Sequence, residues 1–339
     1  MKTLLVLTLA SCAFAQNWQP NVTNARFESR AFSGDLNVQL RAASPAWFGY
    51  PVSSVQKENE NCCWNNESCG CWLEEKRSGS PAAQASQPVP LEGSNAIAVL
   101  FRVNNNTVEK IRGFSLACPL DAGGLPFIWL TGVPAQASLA YLEKFAMASS
   151  DQLADSAIFA IAQHSGSEAD SALERLVRPS QPERTREKVA FWLGASRGAP
   201  GVVLLKQILA SDSSDKVRDK AVFALSISKQ PAALDSLIHT ANTDASSRVR
   251  SQALFWLAQK AGKRASEVIT NAIQNDPDTE VKKKAVFALS QLPKDEGIPR
   301  LIEVAETQRN PEVRKQAFFW LGQSQDPRAL AFIEHVLTK

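Results

Sequence analysis

From residue 135 onward the apolar positions fall into two alternating helical stripes that recur every 32 residues. One stripe is aromatic. Phe159, Phe191, Phe223, Phe255, Phe287 and Phe319 share a single phase without insertion or deletion. Two residues before each stands Ala157, Val189, Ala221, Ala253, Ala285 or Ala317, and two residues after it Ile161, Leu193, Leu225, Leu257, Leu289 or Leu321. The other stripe follows about fourteen residues later, at Leu173, Leu205, Leu237, Ile269, Leu301 and Ile333, with a partner three residues on in most units, the i, i+3 spacing of an amphipathic helix. Pro200-Gly201, Pro231, Asp276-Pro277, Asn310-Pro311 and Asp326-Pro327 read as the turns between helices. A fixed period of this length predicts stacked helix pairs, each burying its apolar face against its neighbours.

The pattern before residue 134 is different. Segments 96–103, 110–120 and 126–133 are short β-rich runs, separated by Asn104-Asn105-Asn106 and Gly123-Gly124. Residues 30–43 read as a further hairpin, and 78–90, rich in Ser, Pro and Ala, as a linker or long loop. The predicted organisation is an export signal over 1–15, a small β-rich cysteine-containing domain over 16–133 and a mainly α solenoid of about six repeats over 134–339.

Residues 212–226, 276–290 and 309–322, "DSSDKVRDKAVFALS", "DPDTEVKKKAVFALS" and "RNPEVRKQAFFWLG", resemble the signature of HEAT repeats, in which an Asp-Pro turn precedes the inner helix. The resemblance spans 135–339 and implies an α-α superhelix whose inner helices line a concave surface. The whole chain is also similar to exported bacterial HEAT-repeat proteins with a cysteine-bearing N-terminal region, a group that brings no established activity. A two-unit period lies over the first: the residue after each phenylalanine alternates Ala160, Trp192, Ala224, Trp256, Ala288, Trp320.

On a wheel at ~100° per residue, Val313, Ala317, Leu321 and Trp320 form one apolar face and Phe319 falls nearly opposite. The resemblance therefore implies that the six phenylalanines point into the groove. Four residues before them stand Asp155, Glu187, Asp219, Ser251, Lys283 and Lys315, a progression from acidic to basic. Two readings follow. The stripe is an open surface for a protein or peptide partner, or it is buried, packed on itself or under the β-rich domain. The tryptophans, closer to the core face, read as packing between repeats.

Composition narrows the function. A formal charge of +3 from 37 basic and 34 acidic residues has no long block of one sign, so nucleic acid is not an expected partner. The N-terminal "MKTLLVLTLASCAFAQ" has the charged start, short apolar run and Ala13-Phe14-Ala15 ending of an export signal; alternatively Leu9 to Cys12 is a lipoprotein signal with Cys12 acylated. No other segment is apolar enough to span a bilayer. The expected location is the periplasm or secreted space, or the cell envelope if Cys12 carries lipid.

Cys62, Cys63, Cys69, Cys71 and Cys118 are confined to the β-rich region. Export favours disulfides among them, with one thiol left over. Four cysteines between 62 and 71 also suit a metal or redox site, although adjacent cysteines and a C-x-C differ from the usual paired zinc knuckles. Catalytic motifs are absent: there is no G-x-S-x-G, Walker loop, G-x-G-x-x-G or H-E-x-x-H. Deoxyhypusine hydroxylase, an iron enzyme, resembles this solenoid in architecture but relies on paired His-Glu motifs, whereas this chain has only His164, His239 and His335 and one reversed Glu334-His335 pair. Bilin lyases use such repeats too, yet no residue here points to a tetrapyrrole. The expectation is a noncatalytic adaptor without cofactor or resident metal that binds a protein segment on its concave face. The alternative is an enzyme or enzyme subunit with a redox or metal site among the cysteines, or a lyase-like HEAT protein.

Overall fold

The computed structural model describes residues 18–55, 62, 64–65, 68–69, 71–74, 95–147, 151–260 and 263–338. The expected export signal, Cys12, Cys63, the side chain of Cys69 and the 78–90 linker lie outside the described residues. The chain divides into two compact units after Tyr141, where sequence pattern alone places the boundary at 133/134.

The first unit contains, in chain order, β1 (Val22–Thr23), β2 (Arg26–Ala31), α1 (Leu36–Gln39), β3 (Ala46–Ser53), β4 (Trp64–Asn65), β5 (Ser68–Cys69), β6 (Cys71–Trp72), β7 (Ala96–Asn104), β8 (Thr107–Ser115), β9 (Leu120–Asp121) and β10 (Pro126–Thr131). Five strands form one sheet in the order β2-β10-β3-β7-β8, with β10 parallel to both neighbours and β3, β7 and β8 antiparallel. Asn105 and Asn106 carry the β7–β8 turn at φ 48° and 57°, a left-handed pair that asparagine tolerates. Trp47, Tyr50, Phe101, Phe127 and Trp129 are fully buried and supply most of the aromatic volume of this core. The buried Trp47 indole donates to Glu74 at 2.8 Å and the Trp129 indole to the carbonyl of Trp18 at 3.0 Å, so neither burial strands a polar group.

The hairpin expected over 30–43 is not formed. Gly34, at φ +85°, turns the chain out of β2, and the Asp35 side chain accepts from the Asn37 amide at 2.9 Å, capping the single helical turn α1. Leu36 and Leu40 then lie four residues apart on one helical face, each 2% exposed.

After α2 (Ala135–Ala146), which crosses the boundary, six helix pairs follow: α3 (Asp151–Gln163) and α4 (Ser167–Leu176); α5 (Glu183–Ser196) and α6 (Gly198–Ser211); α7 (Asp215–Ile227) and α8 (Pro231–Thr243); α9 (Ser247–Lys260) and α10 (Lys263–Asn275); α11 (Thr279–Ser290) and α12 (Lys294–Thr307); α13 (Pro311–Gln323) and α14 (Pro327–Leu337). The odd-numbered helices carry the phenylalanines and stack in one layer; the even-numbered ones stack in the other. Neighbours in the odd layer pack on each other more extensively than neighbours in the even layer, which makes the odd layer the inner, concave one. Gly194 permits one such approach, because a Cβ there would lie 2.1 Å from the Ala224 carbonyl oxygen of the next inner helix. The apolar residues two before and two after each phenylalanine are buried in all six pairs and form the core between the layers.

Helix starts are written locally. Pro231, Pro311 and Pro327 occupy first-turn positions, where a missing N–H costs nothing, and Asn310 and Asp326 cap the amides that follow them. Pro200-Gly201, expected as a turn, lies instead inside the first turn of α6. The chain turns at Gly198 (φ +54°), and Gly201 allows α6 to press against the Leu193 carbonyl.

A charged ladder runs through the turns. Arg186, Arg218 and Arg250 each make two hydrogen bonds to an aspartate 26 residues ahead, Asp212 at 2.7 and 3.1 Å, Asp244 at 3.0 and 3.1 Å, and Asp276 at 2.8 and 2.9 Å. Each arginine also donates backward to a turn carbonyl, of Gln181, Asp212 or Asp244, and each aspartate accepts the amide two residues on. The buried charges are thus fully hydrogen-bonded, the condition under which an ion pair can sit in a core. One register further the pair is Lys282 and Gln308, and the ladder stops; Lys282 donates to Gln274 O and Gln308 to Ile273 O instead.

Candidate functional site

The six phenylalanines and three tryptophans form one continuous aromatic run along the inner layer. Trp192 sits 4.9 Å, centroid to centroid, from both Phe159 and Phe191; Phe191 stacks on Phe223 at 6.2 Å and 13°. The motif repeats two units later, with Trp256 at 5.1 Å from Phe223 and 4.9 Å from Phe255, and Phe255 stacked on Phe287 at 6.1 Å and 5°. Trp320 continues it at 5.0 Å from Phe287 and 4.9 Å from Phe319. The two-unit period of the sequence is therefore a packing rule. An indole occurs only where the same register one unit earlier is a buried alanine, Ala160, Ala224 or Ala288, which leaves volume for it.

Phe159, Phe191, Phe223, Phe255 and Phe287 are half-buried, and Phe319, at the end of the run, is 53% exposed. The ring edges that remain exposed present a narrow apolar seam on the concave side. Aromatic pairs at these separations hold each other in place, so the seam is preorganised.

The flanking charges are largely paired across adjacent repeats. Asp155 accepts from Lys188 at 2.8 Å and lies 3.5 Å from Arg184; Asp219 pairs with Arg248 at 3.0 Å, and Glu183 with Lys216 at 3.1 Å. Lys283 pairs within its own helix with Glu280 at 2.9 Å. Glu187 is half-buried and Lys315 exposed, neither in an ion pair among the described residues. The acidic-to-basic progression is thus neutralised locally over much of its length, with Ser251 as its one uncharged member.

Between α9 and α11 the seam opens into a cavity of about 490 Å³ whose walls include Ser247, Ser251, Phe255, Lys284 and Phe287. A second cavity, of about 680 Å³, lies between the outer helices α6 and α8. Ser236 and Thr240 line it in the registers where the preceding unit has Leu204 and Ile208, and Lys206 and His239 stand at its edge. Asp212, Arg218, Asp235 and Asp244 in its lining are engaged in ion pairs, and Lys206 is in none among the described residues.

The histidines do not converge. His164 is 1% exposed, and burial holds its pKa down at about 4 against the weaker opposing pull of a hydrogen bond with the Ala160 carbonyl. His239 and His335 are exposed and three units apart, ~30 Å for helix layers stacked at 8–10 Å.

In the first unit Cys62 and Cys118 form a disulfide with Cα atoms 5.5 Å apart. Cys71 is also disulfide-bonded, with its Sγ 3.7 Å from that of Cys118. The Cys62, Cys71 and Cys118 sulfurs lie within 4.8 Å of one another, a spacing that could hold a metal, but in disulfide form they offer no thiolate ligand.

Stacked two-helix units, a buried Asp–Arg ladder and helix caps before the inner helices agree with a sequence match to HEAT repeats over residues 169–258 and 266–339. The helical unit is a HEAT-repeat solenoid. Among solved structures the chain is similar to human deoxyhypusine hydroxylase in complex with glycerol (15% identity, 59% of this chain and 89% of the other, TM-score 0.30). It is also similar to the CpcE–CpcF complex of phycocyanin lyase from Nostoc (24%, 46% and 99%, 0.35) and to Kap95p bound to RanGDP (15%, 62% and 33%, 0.40). At these levels the likeness is one of HEAT architecture alone. No curated protein matches the chain. Among the described residues no helix is long and apolar enough to cross a membrane.

Proposed function

We propose that this HEAT-repeat protein is a noncatalytic scaffold or adaptor of the periplasm, cell envelope or secreted space that binds a protein segment along the concave face of its solenoid. The observation that carries the reading is the aromatic seam. Nine rings are locked together along the inner layer while five phenylalanines stay partly exposed and the sixth about half exposed. Burial alone does not require an aromatic stripe with open edges, whereas a preorganised apolar strip bordered by charged side chains has the composition of a binding surface. The disulfides of the first unit and the export-signal pattern at the N-terminus support a location outside the reducing cytoplasm.

The test uses the full chain with a photoreactive phenylalanine analogue introduced in the native host at one exposed position at a time. Position 315 lies in the groove and position 303 on the outer helix α12. Discrete covalent adducts with a second protein are expected from 315 and not from 303. Equal adduct formation at both positions, or none at 315, refutes the scaffold reading.

A further inference from the structure

The repeats are regular enough that departures from their register stand out, and the sharpest on the inner face is in α9. Eight and four residues before the phenylalanine, α5 carries Glu183 and Glu187 and α7 carries Asp215 and Asp219, but α9 carries Ser247 and Ser251. On the preceding inner helices three of these positions send ion pairs to the next inner helix: Asp155 to Lys188, Glu183 to Lys216, Asp219 to Arg248. Ser247 instead hydrogen-bonds the Asp278 carboxylate that caps α11, and Ser251, short and uncharged, cannot form an ion pair with Lys284. The space those bridges would fill is the 490 Å³ cavity, within the ~300–1,000 Å³ of ordinary ligand pockets. One end of it is floored by the stacked Phe255 and Phe287 rings.

The surrounding charge is cationic by a small margin, with Glu280 on the cavity wall beside Arg248 and Lys284. From α7 to α13 the registers on the phenylalanine face hold Lys216, Lys220, Arg248, Lys283, Lys284 and Lys315 against Asp215, Asp219, Glu280 and Glu312. Asp215 is engaged by Arg218 of the ladder, Asp219 by Arg248 and Glu280 by Lys283. Lys284, on the cavity wall, and Lys315 have no carboxylate partner among the described residues, and Lys220 rests 5.7 Å over the Phe223 ring.

We propose that this notch is the specificity pocket of the groove and takes one bulky aromatic side chain of an extended partner segment whose flanking residues are acidic. The proposal deepens the scaffold reading and rests on it. The aromatic ring enters beside Ser251 and meets the Phe255 and Phe287 rings, and an adjacent carboxylate pairs with Lys284. Excess cations at an apolar pocket favour an acidic segment and disfavour a basic one.

The repeat itself supplies the variant that closes the pocket. Ser247→Thr with Ser251→Asp copies Thr279 of α11 and Asp219 of α7 in the same registers, keeps a hydroxyl for Asp278 and gives Lys284 a carboxylate as Lys188 has in Asp155, so the fold is retained, and a thermal melt matching wild type verifies this. The probe is a trifluoroacetyl-labelled heptapeptide, Gly-Ser-Asp-Trp-Asp-Ser-Gly, followed by fluorine NMR against the full chain, in which no native signal interferes. Binding is expected to weaken at least about tenfold for the double variant, for Lys284→Glu, for a peptide with Ala in place of Trp, and for one with Lys in place of both Asp. A double variant that melts like wild type and binds equally well overturns the notch, as does equal binding of the lysine peptide or no binding of the acidic peptide. The two readings fail separately. Crosslinks at position 315 with a peptide indifferent to the double variant overturn the notch alone; a discriminating peptide with no crosslink overturns the scaffold alone.

Discussion

Replacing Phe255 and Phe319 by alanine, one at a time, tests whether the seam is a packed element or a row of independent side chains. A phenylalanine has ~200 Å² of surface to bury; with more than half of it withdrawn from water at Phe255, ~25 cal/mol/Å² gives about 3 kcal/mol. Phe255 also loses a Trp256 contact at 4.9 Å and a Phe287 contact at 6.1 Å, together worth ~1–2 kcal/mol. The better helix propensity of alanine returns ~0.5 kcal/mol, and a site open to the groove refills with water, so little cavity cost is added. The expected loss at Phe255 is about 4 kcal/mol. Phe319 is 53% exposed and touches only Trp320 among the seam rings, so its expected loss is about half as large. Urea melts followed by far-ultraviolet circular dichroism give the two values. Because repeat arrays can melt in parts, hydrogen exchange of the α9 and α13 amides locates the loss. A Phe255→Ala change costing under ~0.5 kcal/mol, or equal costs at the two positions, would show that ring packing does not hold the seam.

Asp276→Ala should be severe, about 3–5 kcal/mol, because it leaves the Arg250 guanidinium, whose side chain is only 10% exposed, without a carboxylate; pairing it with Arg250→Met should recover most of the loss in the same urea melts. His164 should make the protein less stable in acid. Burial holds its pKa near 4, below the ~6.5 of the unfolded chain, so the unfolded state binds the extra proton and stability falls as pH drops from about 6.5 to 4, by up to ~3 kcal/mol. His164→Asn should flatten that part of a stability-versus-pH curve relative to wild type; identical curves refute the assignment. Nonreducing peptide mapping should recover Cys62 linked to Cys118. Cys62→Ser with Cys118→Ser should destabilise the first unit by up to ~4 kcal/mol, the loop entropy of a bridge across 56 residues, read in the near-ultraviolet dichroism of its buried tryptophans.

The 32-residue period made the helix pairs legible because every unit solves one burial problem in the same way. A position that is apolar in six units has a common structural cause. What lies between units was harder to read. A helical wheel sets Trp320 and Phe319 on different faces, yet their rings meet at 4.9 Å, because a wheel has one axis and no neighbours whereas each indole is pinned by the helix before it. The Asp–Arg ladder had a signal too, an aspartate six residues before an arginine at 212/218 and 244/250. That spacing hides the real partner, since each arginine bonds forward to the aspartate 26 residues on. The 30–43 hairpin failed for a local reason. Gly34-Asp35 fits a turn between strands as well as a cap, and Leu36 and Leu40 fit either period until the core behind them is known.

The charge pattern of the groove shows where regularity stops being informative. Read as a column, Asp155, Glu187, Asp219, Ser251, Lys283 and Lys315 look like a gradient that would orient a ligand along the whole groove. In the structure Asp155 and Asp219 are consumed by Lys188 and Arg248 of the next repeat, and Lys283 by Glu280 of its own helix, so half of the column answers to intramolecular partners. A repeated register satisfies itself in this way because each unit presents the same geometry to the next. Ser251 cannot join such a bridge, and its neighbour Lys284 is left with no carboxylate to meet. A recognition site in a repeat protein is therefore better sought at the residue that breaks the register than in the residues that repeat, and here the break coincides with an opening beside two stacked rings.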